Sequence, residues 1–465
     1  MALAETFFNS RVVSRIAASL FFFSTSFSYI PFLRSQKNFQ GAVNAILHSN
    51  QFLPSGYPFR GEDWGVLTAS LFANQRHLVS AIGLLLVVLI FLVDRYQFSK
   101  PEVNPGPSST EEGEISNKTD GDAQIRGIRS RESFRRPLGA FIFSGVLIGA
   151  LPYWNSAVFV SALVVLLSIL FLFPYRLFSA CLIATAILVG LPQVLLLRSG
   201  TAETQSLFYW GYTIAQPTVA LVLKYLGWTF GLKWILILIA LILLSGFHRR
   251  LFLAFSSLLP VVFLFRLSTD VFNNHKLLNV WSIFASIYAA YALWRIGKIK
   301  VIGTALAAVL TVVMIFGGII DLFPVHNDPA LTVPYDNDRL TTWLLNNTQP
   351  SDVFLTQTLL THQILFTGRK IFLGNTLFAW SAGYNLGERE TMYRQMFEER
   401  DVAELVRLLN NNKIAYVGID DGVRENKAIK QLNEAVYQQH FEKVFEDTGR
   451  QYANLTIYRV PPCKA

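Results

Sequence analysis

Glu62 and Asp63 are adjacent carboxylates in a polar segment, residues 59–65, that interrupts an otherwise apolar part of the chain. Residues of this type at this spacing can supply a general base and a metal ligand in a group-transfer reaction. A charged turn between an aromatic loop and an interfacial helix explains the pair equally well. The pair is therefore a candidate for catalysis, with a structural alternative beside it.

A second polar segment lies between two apolar runs and contains Asp270, Asn273, Asn274, His275 and Lys276. Lys276 and His275 can bind an anionic headgroup, while Asp270 or the two asparagines orient the rest of a ligand. The alternative is a solvated loop whose Asn and Asp side chains cap the next helix. A short loop needs only one cap and this one offers five polar groups, which keeps a binding role open.

A third set of polar residues lies near the C-terminal end of the chain, and includes Arg369, Trp380 and Arg389. Glycine, aromatic and charged residues between a predicted strand and a predicted helix favour a loop folded over a pocket, with Arg389 available for phosphate. The alternative is an ordinary connection in which Glu388 and Glu390 favour the N-terminus of the following helix. No zinc-ligand spacing, phosphate loop, dinucleotide glycine pattern or nucleophile elbow is present.

The composition indicates what kind of protein carries these residues. The chain has 465 residues, of which 52% are hydrophobic and 15% charged, whereas a soluble protein has roughly 25% charged residues. Apolar runs of membrane-spanning length occupy most of residues 12–320. They are 12–33, 78–93, 138–153, 156–174, 177–197, 231–247, 251–267, 277–294 and 301–320. We therefore predict an α-helical multi-spanning membrane protein of about nine spans with a C-terminal extracytoplasmic α/β domain.

The basic residues predict the orientation of the spans. The loop 95–136, Arg176, residues 248–250 and Arg295 all fall on one side, which the excess of Lys and Arg marks as cytoplasmic. The net charge is +9, but the basic residues lie beside the apolar runs, where they orient the chain, and nucleic-acid binding is not predicted. The N-terminus is expected in the cytoplasm and the C-terminal domain outside. Residues 217–230 are predicted as an interfacial helix, because another span there would reverse this order.

Four regions follow from this pattern. They are 1–94 with the first spans and first outer loop, 95–136 as a disordered cytoplasmic loop rich in Pro, Ser, Gly and Glu, 137–323 as the transmembrane bundle, and 324–465 as the soluble α/β domain. In the last region Asp401 is predicted to cap a helix, 414–419 to form a central strand, and 441–445 with 454–460 to form a terminal hairpin. The middles of the spans contain almost no ionisable residues, which argues against ion-coupled transport.

The order of these features resembles the C-terminal part of membrane proteins of the GT-C glycosyltransferase superfamily, the polyprenyl-phosphate-sugar-dependent, protein-mannosyltransferase-like enzymes. The resemblance runs from about residue 60 onward. Its segments are Asn74-Gln75-Arg76-His77, the segment from Asp270 to Lys276 with Trp281, residues 368–374, Trp380-Ser381-Ala382-Gly383 and Glu388-Arg389-Glu390. Relatives often have Asp-Asn-x-Lys where this chain has Asn273-Asn274-His275-Lys276, and His at the position of Ala382.

The resemblance implies a lipid-linked sugar donor used on the outer face of a membrane. Two cysteines in the whole chain and the lack of a retention signal favour a bacterial inner membrane. In such an enzyme a carboxylate deprotonates the acceptor hydroxyl and basic side chains stabilise the departing lipid phosphate. It also implies an acidic pair in the first external loop, with several more spans before the matched region. Either Glu62 and Asp63 take the catalytic place, with a divalent metal left open, or the chain is an N-terminally incomplete or split member whose catalytic half is encoded separately. We expect the second.

The competing hypothesis is a non-catalytic subunit or scaffold whose outer domain binds a glycan or a protein.

Overall fold

The computed structural model describes residues 1–53, 76–98, 138–198, 206–327, 334–358 and 362–462. These residues form two compact units. The first contains the helices up to Asn327, and the second contains residues 268–270 together with the described residues from Pro334 onward. Most of the predicted loop 95–136 lies outside the described residues, although its first four residues continue a helix that ends at Phe98.

Within the described residues, the regular elements of the first unit are helices. Its helices are α1 Ala2–Phe8, α2 Arg11–Phe22, α3 Tyr29–Arg34, α4 Phe39–Leu47, α5 Arg76–Phe98, α6 Leu138–Gly149, α7 Leu151–Leu172, α8 Arg176–Arg198, α9 Val219–Phe230, α10 Lys233–Leu243, α11 Gly246–Ser256, α12 Leu258–Leu264, α13 His275–Gly297, α14 Lys300–Ile320 and α15 Leu322–Asn327. A 3₁₀ turn, Val271–Asn274, precedes α13.

The described residues contain six helices long and apolar enough to cross a membrane, or seven if the bent pair α9 and α10 counts as one span. The prediction of nine spans is therefore not confirmed. The predicted run 12–33 gives two short helices, α2 and α3. The 12 residues of α2 extend about 18 Å at 1.5 Å per residue, short of a hydrocarbon core about 30 Å thick. The runs 138–153 and 156–174 give one span, α7, after the shorter helix α6, and α7 is kinked at Asn155.

The bend between α9 and α10 is 89°. It occurs at Gly231, which has φ +51° and ψ −126°, a conformation that side chains other than hydrogen disfavour. A Cβ at this position would also lie 2.5 Å from the ring of Phe27. The predicted helix 217–230 is confirmed as a helix separate from the one that follows.

Helix α13 is the centre of the first unit. The most apolar stretch of this helix is 89% buried, a larger share than in any other candidate span of the described residues. It packs against α2, α10 and α14, and its aromatic rings fill the core, with Phe284 stacked on Phe255 and Trp281 against Phe230. Because α13 is surrounded, its first residues are held rigidly at one end of the bundle.

Two residues of the predicted basic segment 248–250 contact neighbouring helices. The Nη1 of Arg250 donates to the carbonyl of Leu172 over 3.3 Å, and the hydroxyl of Tyr288 donates to the carbonyl of His248 over 2.7 Å. His248 also stacks on Phe8 of α1.

The second unit is a small α/β domain. Its elements are α16 Arg339–Asn347, β1 Val353–Leu355, α17 Gln363–Phe366, β2 Lys370–Ile371, α18 Thr376–Ser381, α19 Gly387–Glu398, α20 Val402–Asn411, β3 Ile414–Ile419, α21 Asp421–Arg424, α22 Glu434–His440, β4 Glu442–Glu446 and β5 Thr456–Arg459. The predicted cap is present, because the carboxylate of Asp401 accepts a hydrogen bond from the N–H of Glu404 over 2.8 Å.

The strands form one five-stranded sheet in the order β2-β1-β3-β5-β4. β1 pairs in parallel with β2 and β3, while β5 pairs antiparallel with β3 and β4. The predicted central strand and terminal hairpin are confirmed. Apolar residues of the sheet are buried on both faces, with Leu355 and Val417 on one side and Phe354 and Ile457 on the other.

Candidate functional site

Asn274 joins the end of α12 to the start of α13. Its side chain is fully buried, and Nδ2 donates to the carbonyls of Val262 and Phe265 over 3.1 and 2.7 Å. Both amide hydrogens therefore satisfy carbonyls that the end of α12 leaves without helical partners. Within the described residues Oδ1 of Asn274 has no hydrogen-bond partner. Asn274 was predicted to contact a ligand, and in the structure its amide group instead holds the backbone between α12 and α13.

His275 is 4% exposed and lies in the first turn of α13. Its Nδ1 is 2.8 Å from the carbonyl oxygen of Phe272. Because a carbonyl only accepts, Nδ1 carries a hydrogen and the neutral ring has its lone pair on Nε2. Nε2 is buried with no partner among the described residues. His275 therefore offers one unused polar atom at the end of the bundle.

Lys276 is partly buried in the same turn. It is close enough to His77, at the start of α5, and to His275 to interact electrostatically with both. None of the described residues gives it a hydrogen bond or a carboxylate partner. The N-terminus of the 23-residue helix α13 adds further positive potential. We call His77, His275 and Lys276 the basic cluster, and its arrangement fits an anion better than a cation or a neutral ligand.

The segment 206–218 braces this end of the bundle. Phe208 pairs with Phe265 in an antiparallel bridge, and the hydroxyl of Tyr212 donates to the carbonyl of Phe272 over 3.1 Å. The guanidinium of Arg266 lies over the ring of Tyr209 at 4.3 Å. The sequence prediction did not include these residues, although an arginine that directly follows an apolar run and a tyrosine-rich stretch were visible signals.

The other residues of the resembling segments have different surroundings. Asp270 belongs to the second unit. Trp281 is fully buried in the core, 5.0 Å from Trp234 between ring centroids. Glu62 and Asp63 lie outside the described residues, as do Asn74 and Gln75. In the described part of the chain no three His, Cys, Asp or Glu residues are grouped so as to hold a metal ion.

Lys233 is an ionisable residue inside the bundle that the sequence prediction missed. It is 2% exposed, and its Nζ donates to Ser24 Oγ and to the carbonyl of Leu20 over 2.9 and 3.3 Å. Lys233 is the first residue of α10, so the expectation that the middles of the spans hold almost no ionisable residues is unchanged. The available signal was a lone lysine directly before the uninterrupted apolar stretch 234–244.

Arg369 in the second unit is a structural residue, which corrects its prediction as a substrate-binding one. Its side chain is 6% exposed. It donates to the carbonyls of Leu344, Thr348 and Thr367 and to the Thr348 hydroxyl. The guanidinium therefore caps the C-terminal end of α16, where carbonyls lack helical partners and positive charge is favoured.

Trp380 and Arg389 have different surroundings in the structure. Trp380 lines a cleft of about 370 Å³, whereas the guanidinium of Arg389 lies 4.9 Å from the centre of the Phe372 ring. Arg389 does not line this cleft, so the structure does not bring it together with Trp380 there, and its phosphate-binding role stays a prediction. The residue that follows it, Glu390, lines the cleft instead.

Two polar sites of the second unit hold the fold together. The N–H of Ile364 donates to Nδ1 of His362 over 3.2 Å, and burial lowers the pKa of His362 to about 4, although the Asp338 carboxylate opposes this. After β3, Asp420 accepts from Gln357 Nε2 and from the N–H of Val423 over 2.5 and 2.9 Å, and burial raises its pKa. Both side chains cap local backbone N–H groups.

Comparison with known proteins found a similarity in structure. No protein-family model and no curated protein sequence matches the chain. Among solved structures, the chain is similar to the crystal structure of the Archaeoglobus fulgidus oligosaccharyltransferase tethered by a disulfide bond to an acceptor peptide containing the NVT sequon. The identity is 11% and the TM-score 0.38, and the match covers 83% of this chain and 56% of that one. The chain thus spans a little over half the length of that structure.

Proposed function

We propose that this chain is a GT-C-like component of a membrane glycosyltransferase, and that the basic cluster binds the phosphate of a polyprenyl-phosphate-linked sugar on the outer face of the membrane. The observation that carries the proposal is Lys276, a partly buried ammonium beside two histidines at a helix N-terminus, to which no described residue supplies a negative charge. Such an arrangement is unfavourable without an anion and becomes favourable when one binds.

The position of the cluster fits a substrate that is itself held in a membrane. His77 and Lys276 begin two of the long apolar helices, α5 and α13, so both lie where a span meets the headgroup region. A phosphate there is reached by a lipid whose chain remains in the apolar region. The predicted alternation of loops puts the two helix starts on the same side of the membrane, which supports the proposal.

The proposed reaction breaks the bond between the sugar anomeric carbon and the phosphate oxygen and forms a bond from that carbon to an acceptor oxygen. The phosphate departs with the electron pair, and Lys276 stabilises its charge. A carboxylate removes the acceptor proton. Glu62 and Asp63 are our proposal for that carboxylate, as a base or as ligands of a divalent metal, and a carboxylate of a separate subunit is the alternative.

The test measures binding of polyprenyl phosphate to the full-length protein in nanodiscs, with the matching polyprenyl alcohol as the control ligand. Lys276→Ala is expected to weaken phosphate binding at least about tenfold and to leave alcohol binding unchanged. The matched control is Lys298→Ala, because Lys298 caps the other end of α13 and lies over the ring of Trp294. Equal binding of phosphate and alcohol, or no effect of Lys276→Ala, would contradict the proposal.

Transfer of labelled sugar from a polyprenyl-phosphate donor then separates the two forms of the proposal. Transfer by this chain alone, lost in Glu62→Gln/Asp63→Asn, is the result expected of a self-sufficient enzyme. Phosphate binding without transfer is the result expected of a component that needs a catalytic partner. A non-catalytic scaffold is the second candidate function, and the exposed aromatic side chains of the second unit favour it. It predicts no binding of polyprenyl phosphate at the basic cluster.

A further inference from the structure

A cleft of about 370 Å³ lies between α18 and the start of α19 in the second unit. This volume falls within the range of about 300–1,000 Å³ that small-molecule sites occupy. Its lining is mixed, with apolar and polar side chains on the same small surface. The apolar residues are Leu377, Trp380, Tyr384 and Leu386, and the polar ones are Thr376, Asn385 and Glu390.

Two aromatic rings of the cleft are open to solvent. Trp380 is 42% exposed and Tyr384 is 41% exposed. Large exposed rings contribute little to the stability of the domain, but they give a ligand a broad, rigid contact surface at low entropic cost. The face of an aromatic ring carries partial negative charge, which attracts the polarised C–H groups on the flat side of a sugar ring.

The polar side chains supply both kinds of hydrogen-bonding group. Oδ1 of Asn385 accepts from the N–H of Gly387 over 3.1 Å, which fixes the amide and leaves Nδ2 as a donor that no other described residue uses. The carboxylate of Glu390 has no partner among the described residues and only accepts. A sugar hydroxyl both donates and accepts, so it can satisfy this combination.

The charge of the cleft excludes an anionic ligand. Among the described residues that line it, Glu390 is charged and no Lys, Arg or His is present. The nearest arginine in sequence, Arg389, lies over the ring of Phe372 outside this lining. A phosphate would therefore meet a carboxylate without a compensating cation, whereas a neutral hydroxylated ligand would not.

We propose that this cleft is a binding subsite for a neutral carbohydrate, with Trp380 as the stacking surface and Asn385 and Glu390 as hydrogen-bonding partners of its hydroxyls. The inference goes beyond the lipid-phosphate proposal, because it concerns the second unit alone and stands whether or not the basic cluster binds phosphate. In a glycosyltransferase the subsite would hold a sugar acceptor or a growing glycan. In a scaffold it would be the glycan-binding surface.

The test is saturation-transfer-difference NMR on the full-length protein in nanodiscs, with the methyl glycosides of mannose, glucose, galactose and N-acetylglucosamine and their 1,4-linked disaccharides as probes. At least one probe is expected to bind. Trp380→Ala should weaken that probe about tenfold or more, since an aromatic anchor in a small site carries a large share of the affinity. Glu390→Gln should weaken it about threefold or more, because the charge-assisted acceptor is lost while the shape is kept.

Two controls make the result specific. Phe378 is exposed on the same helix as Trp380 but does not line the cleft, so Phe378→Ala should leave binding unchanged. Arg389→Ala should do the same. The proposal is overturned if no probe binds the unaltered protein, if Phe378→Ala weakens binding as much as Trp380→Ala, or if inorganic phosphate competes with the bound sugar. If Trp380→Ala still binds polyprenyl phosphate, the carbohydrate proposal and the lipid-phosphate proposal can be tested independently of each other.

Discussion

The Nζ of Lys233 donates a hydrogen bond to the Oγ of Ser24 over 2.9 Å, which joins two buried residues 209 positions apart in the sequence. The same ammonium donates to the carbonyl of Leu20, in the last turn of α2. A cation at the C-terminus of a helix is favoured by the helix dipole and by the carbonyls that lack helical partners there. Lys233 therefore fixes the end of α2 to the start of α10 without a carboxylate partner among the described residues.

Removing the Ser24 hydroxyl should destabilise the helical unit. Ser24→Ala takes one of two acceptors from a buried ammonium, and a hydrogen bond to a charged group contributes about 1.5–3 kcal/mol. The apparent melting temperature in detergent is expected to fall. Ser19→Ala is the matched control, because the exposed hydroxyl of Ser19 bonds only to the carbonyl of Arg15 in the same helix. Equal melting temperatures for Ser24→Ala and Ser19→Ala would contradict the capping role.

Asn274 should support the basic cluster through the backbone. Asn274→Ala leaves the carbonyls of Val262 and Phe265 without their donor, and each unsatisfied buried group costs about 1–3 kcal/mol. Both the melting temperature and the affinity for polyprenyl phosphate should decrease. Asn274→Asp should be worse, since it directs a carboxylate at two carbonyl oxygens. A direct ligand contact would instead give weaker binding at an unchanged melting temperature.

Arg369 and Arg389 should respond differently to the same conservative change. Arg369→Lys removes the planar donor set that reaches three carbonyls and a hydroxyl, and a lysine cannot reproduce it, so the second unit should lose about 2–4 kcal/mol. Arg389→Lys affects an exposed cation–π contact, typically about 0.5–1 kcal/mol. Guanidinium unfolding of the second unit in the full-length protein measures both. A smaller loss at position 369 than at 389 would refute the structural role.

His362 should make the second unit less stable in acid. Its folded pKa of about 4 lies below its ordinary value of 6.5, so the unfolded chain takes up a proton as the pH falls below 6.5 while the folded domain does not. The contribution is complete above pH 6.5 and is lost on the way down to pH 4. At 1.36 kcal/mol per pKa unit it amounts to about 3 kcal/mol.

The matching variant is His362→Asn, because asparagine keeps a capping acceptor for the N–H of Ile364 and does not titrate. Guanidinium midpoints of the second unit, measured between pH 4 and pH 7.5, should depend less steeply on pH in this variant. If the unaltered protein and His362→Asn show the same pH slope, another group controls the acid sensitivity.

Much of the local structure was predictable from short-range patterns. The cap at Asp401, the central strand Ile414–Ile419 and the terminal hairpin follow from side-chain periodicity and turn residues. The number of spans was not predictable in the same way. An apolar run records only that a segment is buried, so it did not reveal that the helix after Ser10 ends at Phe22, or that α9 and α10 meet at Gly231.

The sequence by itself determined that this is a multi-helical apolar chain followed by an α/β region, and it identified Lys276 and Trp380 as residues of interest. Only the tertiary structure decided what surrounds them. It brought His77 to Lys276, buried Arg369 under α16 and moved Arg389 out of the Trp380 cleft. The reason is physical, because helix and strand patterns depend on neighbours a few residues away. The environment of a charged side chain depends instead on which distant segments pack against it.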